Sequence, residues 1–378
     1  MAVTTMHLQS RPRARDLGIA PGVMEPGPHN AITDVSGVRV GHTTVITGDN
    51  VRTGVTAILP HGGNLFERKV AGAVFVGNAF GKLAGSTQVE ELGTIESPVV
   101  LTNTLSVGTA IEAVVKWTLA QPGNENVRSI NALVGETNDG GLSDIRGLHV
   151  TREHVTAAIA NAKEGAVDEG AIGAGTGTVA FGWKGGIGTS SRRVAQQGQS
   201  YTIGVLVQSN YGGRLTIAGV PVWKDLSPQR GLSPARGDLP VKGGQSPARD
   251  DLPGTGPLDS DGSCMIIVAT DAPLTAKDLK RVAARAIFAM ARTGSTYSNG
   301  SGDFAIAFST AGPLPALSAA GPPEGISALF EATLDATEEA LYNSMLKATD
   351  VTGNGRTVRA LPADELRRVL QKYGRQAP

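Results

Sequence analysis

The chain has 378 residues, with 34 basic side chains against 34 acidic ones, a balance that removes the basic footprint expected of a nucleic-acid or membrane-surface binder. Its 40% hydrophobic content is enough for a sizeable core, while 50 glycines, about twice the usual share, imply many tight turns and close backbone approaches. A single cysteine, Cys264, excludes an intrachain disulfide and any multi-cysteine zinc or iron–sulfur site.

The first residues carry Arg11, Arg13 and Arg15 but no apolar run long enough for a signal peptide. No later segment approaches the ~20 apolar residues of a membrane span. The expectation is a soluble, cytoplasmic protein without membrane or nucleic-acid partners.

From about Val38 to Ser209 short β-rich runs alternate with amphipathic helical stretches and glycine turns, the pattern of a mixed α/β layer protein. Pro98 to Asn103 reads as a buried strand. Ser106 then caps a helix with Ile111, Val114, Val115 and Leu119 on one face. A second helix starts at Thr151 and runs to about Lys163. Val179 to Trp183 and Tyr201 to Gln208 read as strands, the latter entering a turn at Ser209-Asn210-Tyr211-Gly212-Gly213.

Lys224 to Ser260 has no aromatic residue, six prolines and an imperfect repeat, Ser233 to Pro240 and Ser246 to Pro253. It reads as a linker or long surface loop that buries too little apolar surface to offset its ordering entropy. Directly after it, Asp261-Gly262-Ser263 feeds an apolar strand, with Ser263 at its first position. A helix capped by Thr275 follows, burying Leu279, Val282, Ala283, Ala286, Ile287 and Met290. Gly300-Ser301-Gly302-Asp303 precedes a strand from Phe304 to Phe308, and helices near Ser327 to Leu346 and Ala363 to Tyr373 end the chain.

All six histidines fall within the first 154 residues, and no G-x-S-x-G elbow or H-E-x-x-H pair occurs, so histidine-based hydrolase and zinc signatures lack support. Gly77 to Leu83 is one residue short of a P-loop. Gly173-Ala-Gly-Thr-Gly177 lacks the third glycine of a dinucleotide fingerprint. Asp350 to Gly355 begins like a calcium loop but has Leu361 where a glutamate is needed. No metal, nucleotide or flavin cofactor is expected.

What remains is a nucleophile that supplies its own base. Cutting Gly262–Ser263 would give Ser263 both a hydroxyl and an α-amine whose pKa of roughly 8 suits a general base. On these residues alone, such a pair is more often an ordinary turn before a strand, and Gly300 to Asp303 reads as an ordinary hairpin turn.

Six blocks in order, Asn30 to Thr44, Leu101 to Gly108, Gly135 to Asp144, Gly173 to Gly177, Asp261 to Leu274 and Asn299 to Asp303, resemble the self-processing β-aminopeptidases, the family that includes the L-aminopeptidase/D-amidase/D-esterases. The resemblance spans almost the whole chain. It implies a four-layer αββα sandwich of the N-terminal-nucleophile type, cut into residues 1–262, with the 224–260 linker, and 263–378.

By the same resemblance Ser263 acts in self-cleavage and again as nucleophile on substrate. Ser301 and Asp303 hold it in register, Asn210 is the oxyanion-hole amide, and Glu136 receives the substrate's ammonium. The implied activity is removal of L-, D- or β-amino acids from small peptides, amides and esters, by a homo-oligomer, a tetramer of processed heterodimers. Where many relatives place an aromatic residue after Asn138-Asp139-Gly140, this chain has Gly141, so a pocket wall is missing or supplied by another segment. By strand alternation Cys264 faces away from Ser263. The rival readings are acyl transfer of the ornithine acetyltransferase type, in which an amine intercepts the acyl-enzyme, and a non-catalytic binding or assembly protein with Gly262–Ser263 intact.

Overall fold

A computed structural model describes residues 11–196, 198–228, 262–312 and 326–375. Its first half runs β1 (Arg39–Thr47), β2 (Val51–Leu59), β3 (Val70–Ala79), β4 (Leu83–Ala84), α1 (Ser86–Leu92), β5 (Thr94–Ile95), β6 (Val99–Asn103), α2 (Val107–Leu119), β7 (Leu133–Thr137) and α3 (Arg152–Ala160). Then come β8 (Val179–Ala180), β9 (Trp183–Lys184), β10 (Gly186–Gln196), β11 (Gln199–Asn210), β12 (Ser263–Thr270), α4 (Ala276–Arg292), β13 (Gly302–Ser309), α5 (Ile326–Leu346), β14 (Val351–Gly353), β15 (Arg356–Val358) and α6 (Ala363–Lys372).

Two sheets form the middle layers: β1-β2-β6-β7-β4 with five strands, and β10-β11-β12-β13-β3-β5 with six. Each contains one parallel pair, β6 with β7 and β12 with β13. The crossovers are α2 and α4, as parallel neighbours require. Ile58, Leu101, Leu206, Met265, Ile267 and Ile306 pack between the sheets. Val55, Ala57, Val100 and Val134 face α2 and α3, while Val205, Val207, Ile266 and Val268 face α4 and α5. The molecule is therefore an α/β protein of αββα layering. β12 is covered on both faces, so all eight of its residues are buried, and the run between its polar ends, Cys264 to Ala269, is apolar throughout.

The sequence signals for α4 hold in detail: Thr275 accepts the Asp278 N–H, and the six expected residues are buried. Elsewhere the structure corrects them. Asn103, not Ser106, caps the turn into α2 by accepting the Ser106 N–H. The buried face of α2 is Val107, Ala110, Ala113 and Val114, with Leu119 exposed, because small residues let the helix approach the sheet. Helix α3 stops at Ala160 since the Lys163 backbone pairs with Val40 of β1. The strand expected from Val179 to Trp183 is a hairpin, β8–β9, turning at Phe181 and Gly182, both of positive φ. β11 continues through Asn210, where a turn was expected. Most of the 224–260 linker lies outside the described residues.

Among the described residues no helix is long and apolar enough to cross a membrane, and no cluster of histidine, cysteine and carboxylate side chains is placed to hold a metal. The calcium-like run becomes the β14–β15 hairpin, its Asp350 carboxylate accepting from Arg359 and the Ala360 N–H. Outer helix α5 is tied to β10 by a fully buried ion pair, Arg192 to Glu339 at 2.6 Å. Arg15 of the N-terminal arm joins the same carboxylate at 3.0 Å.

Helix α5 crosses β10 so closely that a Cβ on Gly188 would lie 2.0 Å from the Ala340 carbonyl oxygen. Gly188→Ala is expected to lower stability by about 1–3 kcal/mol through overpacking. Gly108→Ala, in α2 with nothing within 4 Å of the added methyl, is expected to raise it by about 0.5–1 kcal/mol. Urea unfolding of the two variants checks the contrast, and the reverse order would contradict this packing.

Candidate active site

The site forms at the end of the six-stranded sheet where β12 begins. Ser263 pairs with Asn210, the last residue of β11, on one side and with Gly302, the first residue of β13, on the other. Ser263 is 5% exposed. It shares strand parity with Met265, which packs between the sheets, so its side chain belongs to the inter-sheet face. Cys264 has the opposite parity and is buried toward α4 and α5, as alternation predicts. Burial, with the Asp303 charge nearby, holds its thiol well above its ordinary pKa.

The residue before Ser263 is confined on both sides. A Cβ on Gly262 would fall 2.0 Å from the Asn210 carbonyl oxygen, so only glycine fits. Its own carbonyl oxygen accepts the Gly302 N–H at 3.0 Å. The carbonyl of the Gly262–Ser263 bond is thus polarised by the first rung of the β12–β13 ladder.

Ser301 and Asp303 flank Gly302. The Ser301 hydroxyl lies 2.9 Å from both carboxylate oxygens of Asp303. The Ser301 backbone is pinned through its N–H to Ser298 and its carbonyl to the Phe80 N–H. Asn78 Nδ2 donates to the Ser298 carbonyl at 2.5 Å. A bulge between Asp303 and Phe304 supplies the local kink that re-aims side chains at such positions. Asp303 is fully buried; desolvation pushes its pKa up to about 6, opposed by bonds from Ser301 and the Cys264 N–H.

Asn210 is 7% exposed, and its Oδ1 accepts the Val179 N–H at 2.9 Å. A backbone N–H only donates, so the atom facing it must be the oxygen, and the NH2 is turned the other way as a donor.

Glu136 comes from the other sheet, on β7. It is buried rather than solvated, its Oε1 accepting the Lys82 N–H at 3.0 Å and its Oε2 the Thr104 hydroxyl. The turn after β3 joins the sheets here. Phe80 N–H holds Ser301, Lys82 N–H holds Glu136, and a Cβ on Gly81 between them would lie 3.2 Å from Glu136 Oε1 and 3.4 Å from Gly302 Cα. The glycine run from Gly77 that failed as a P-loop is therefore a bridge between the two halves of the site.

All the residues expected from sequence are thus at one end of the sandwich. Gly141 is exposed, and the guanidinium of Arg356 is 3.6 Å from where its Cβ would be. No imidazole enters these contacts; His42, bonded to Thr56, is held by burial near a pKa of about 4 and is neutral. Sequence reading passed over Thr104, Lys82 and the buried Lys184. Lys82 lies in the near-P-loop run and Thr104 in the Leu101 to Gly108 block, while Lys184 stands as a lone charge between Trp183 and Gly185-Gly186.

The profile of peptidase family S58 matches residues 30–358. The β-peptidyl aminopeptidase BapA of Sphingosinicella microcystinivorans is 43% identical, covering 97% of this chain and 93% of the relative. A solved protein of Pyrococcus horikoshii OT3 superposes with a TM-score of 0.84 at 47% identity, covering 96% of this chain and all of that one. The L-aminopeptidase D-Ala-esterase/amidase of Ochrobactrum anthropi, described as a prototype of the serine aminopeptidases and a variant of the Ntn hydrolase fold, gives 0.81 at 38% identity, covering 97% of this chain and 99% of that one.

The raised Asp303 pKa carries a stability consequence. Between the ordinary 3.8 and about 6 the folded chain keeps a proton that the unfolded chain has released, so this group lowers stability as pH rises through that window. Asp303→Asn has no charge to bury. In an uncut Ser263→Ala background it should be more stable than its parent above pH 6, by up to about 3 kcal/mol, with no gain near pH 4. Thermal melts at the two pH values decide it: equal shifts at both would exclude the titration.

Proposed function

The chain belongs to peptidase family S58, and on that premise we propose that it cuts its own Gly262–Ser263 bond and then works as a serine aminopeptidase through the freed Ser263. The observation that carries this reading is the register that sets Asn210, Ser263 and Gly302 side by side, with the Ser301–Asp303 pair next to them. The family match favours hydrolysis over the acyl-transfer and non-catalytic alternatives.

In maturation the Ser263 oxygen attacks the Gly262 carbonyl carbon. The C–N bond breaks, its nitrogen takes the hydroxyl proton, and residues 1–262 become an ester on Ser263. Water hydrolyses that ester, leaving a carboxylate at Gly262 and a free amine at Ser263. The Gly302 N–H, 3.0 Å from the Gly262 oxygen, is placed to steady the charge that develops there.

In turnover the α-amine of Ser263 takes the hydroxyl proton as the oxygen attacks the substrate carbonyl, then returns it to the departing amine or alcohol; water resolves the acyl-enzyme. The Asn210 NH2 donates to the oxyanion. Ser301 and Asp303 orient the hydroxyl and the ammonium form of the amine. Glu136 accepts the substrate's N-terminal ammonium, which restricts the enzyme to substrates with a free amine. Similarity to BapA and to the D-Ala-esterase/amidase supports small peptides, amides and esters headed by β- or D- as well as L-residues as substrates.

The two chains, 1–262 and 263–378, stay together after cleavage. The β11–β12 and β3–β13 ladders cross the cut, as does the buried Arg192–Glu339 pair. Exposed Phe80, Leu105 and Phe288 are consistent with further association into a homo-oligomer, a tetramer of processed heterodimers, to be measured by light scattering.

Denaturing mass spectrometry of the purified protein should show two fragments, the smaller beginning Ser-Cys-Met-Ile, while native spectra keep them in one particle. Ser263→Ala should abolish both cleavage and turnover because one hydroxyl performs both. Splitting at this bond in the alanine variant would sink the mechanism. Asn210→Ala should lower kcat by about 10²–10³-fold with KM little changed, measured on an aminoacyl p-nitroanilide.

A further inference from the structure

Lys184, on β9, is completely buried. Its Nζ donates to three backbone carbonyls, those of Gly175 and Thr178 at 2.8 Å each and Gly185 at 2.9 Å. Three acceptors use all three N–H groups of an ammonium, one more than a neutral amine possesses. Burial draws its pKa down to about 7, and the charge of buried Asp139 pulls it back up. A buried ammonium costs several kcal/mol unless fully bonded, and an apolar side chain would fill the same space without that cost.

What the charge holds is the turn that reaches Asn210. Gly175 and Thr178 are the two ends of one short segment, closed also by the Thr178 hydroxyl on the Gly175 carbonyl at 3.0 Å and by the Gly185 N–H on the Thr178 carbonyl at 3.1 Å. The next residue is Val179, whose N–H fixes Asn210 Oδ1. Lys184 in turn is anchored by its own backbone N–H on the Arg359 carbonyl at 2.8 Å.

We infer that Lys184 is a positioning residue for the reaction: it clamps the 175–178 turn so that the Val179 N–H holds the Asn210 oxygen and the Asn210 NH2 is presented to the carbonyl attacked by Ser263. This rests on the oxyanion role proposed for Asn210. Lys184 touches no reacting atom; its effect passes through Val179 and Asn210.

A double-mutant cycle tests it, with kcat and KM on an aminoacyl p-nitroanilide expressed per mole of processed chain. Lys184→Met keeps the side-chain length and removes the donors. It should lower kcat by about 10²-fold with KM within about 3-fold, whereas in the Asn210→Ala background the same change should alter kcat by less than about 3-fold, because the group it positions is gone.

Equal losses in both backgrounds, or a loss confined to KM, would overturn the inference. If Asn210→Ala by itself leaves kcat unchanged, the failure belongs to the oxyanion assignment instead. Should Lys184→Met not yield folded protein by its thermal melt, Lys184→Arg, which retains the cation but changes the geometry of its donors, is put through the same cycle and judged by the same non-additivity.

Discussion

The hydrogen-bonded register of β12 is the constraint on which the rest of the site depends. Ser263 opens that strand, and it is flanked antiparallel by β11 and in parallel by β13. A slip of one residue would turn Ser263 to the α4 side and send Cys264 between the sheets. The slip is opposed along the whole strand: Cys264, Ile266 and Val268 fill the core under α4 and α5, while Met265, Ile267 and Ala269 fill the core between the sheets. The apolar packing of six residues therefore fixes the position of one hydroxyl.

The site divides its labour between the two sheets. The six-stranded sheet carries Ser263, Asn210, Ser301 and Asp303, while the five-stranded sheet contributes Glu136, which recognises charge in the proposed mechanism. Sheets packed face to face are held apart by their core side chains, and the 80–82 turn spans the gap with backbone N–H groups to Ser301 and Glu136. Using backbone donors makes the spacing independent of flexible side chains. A glycine at its centre is needed because Gly302 and Glu136 close in from both sides.

Polarity in this part of the interior comes with a cost in stability. Asp303 is buried, and desolvation raises its pKa to about 6. Lys184 is the opposite case, a buried cation whose three donors are all met by carbonyls. Both arrangements put charge where an apolar core would be more stable, as functional sites commonly do.

Local sequence determined a good deal. The apolar period and Thr275 cap define α4, and the unbroken apolar run after Gly262-Ser263 defines β12. These signals lie within a few residues of one another, so they survive without tertiary information. The roles proposed for Ser263, Asn210, Glu136, Ser301 and Asp303 rest on six ordered blocks of family resemblance, since each is by itself an ordinary turn or surface residue.

Tertiary structure alone decided the rest. The Lys82–Glu136 bond joins residues 54 apart in the chain and the Val179–Asn210 bond residues 31 apart, distances at which no local periodicity carries information. The orientation of the Asn210 amide, the burial of Glu136 and the clamp at Lys184 all follow from backbone groups that come into reach only when the two sheets and the β8–β9 hairpin are in place. Side-chain chemistry was thus written in the sequence, but the direction in which each group acts was set by the packing of strands around it.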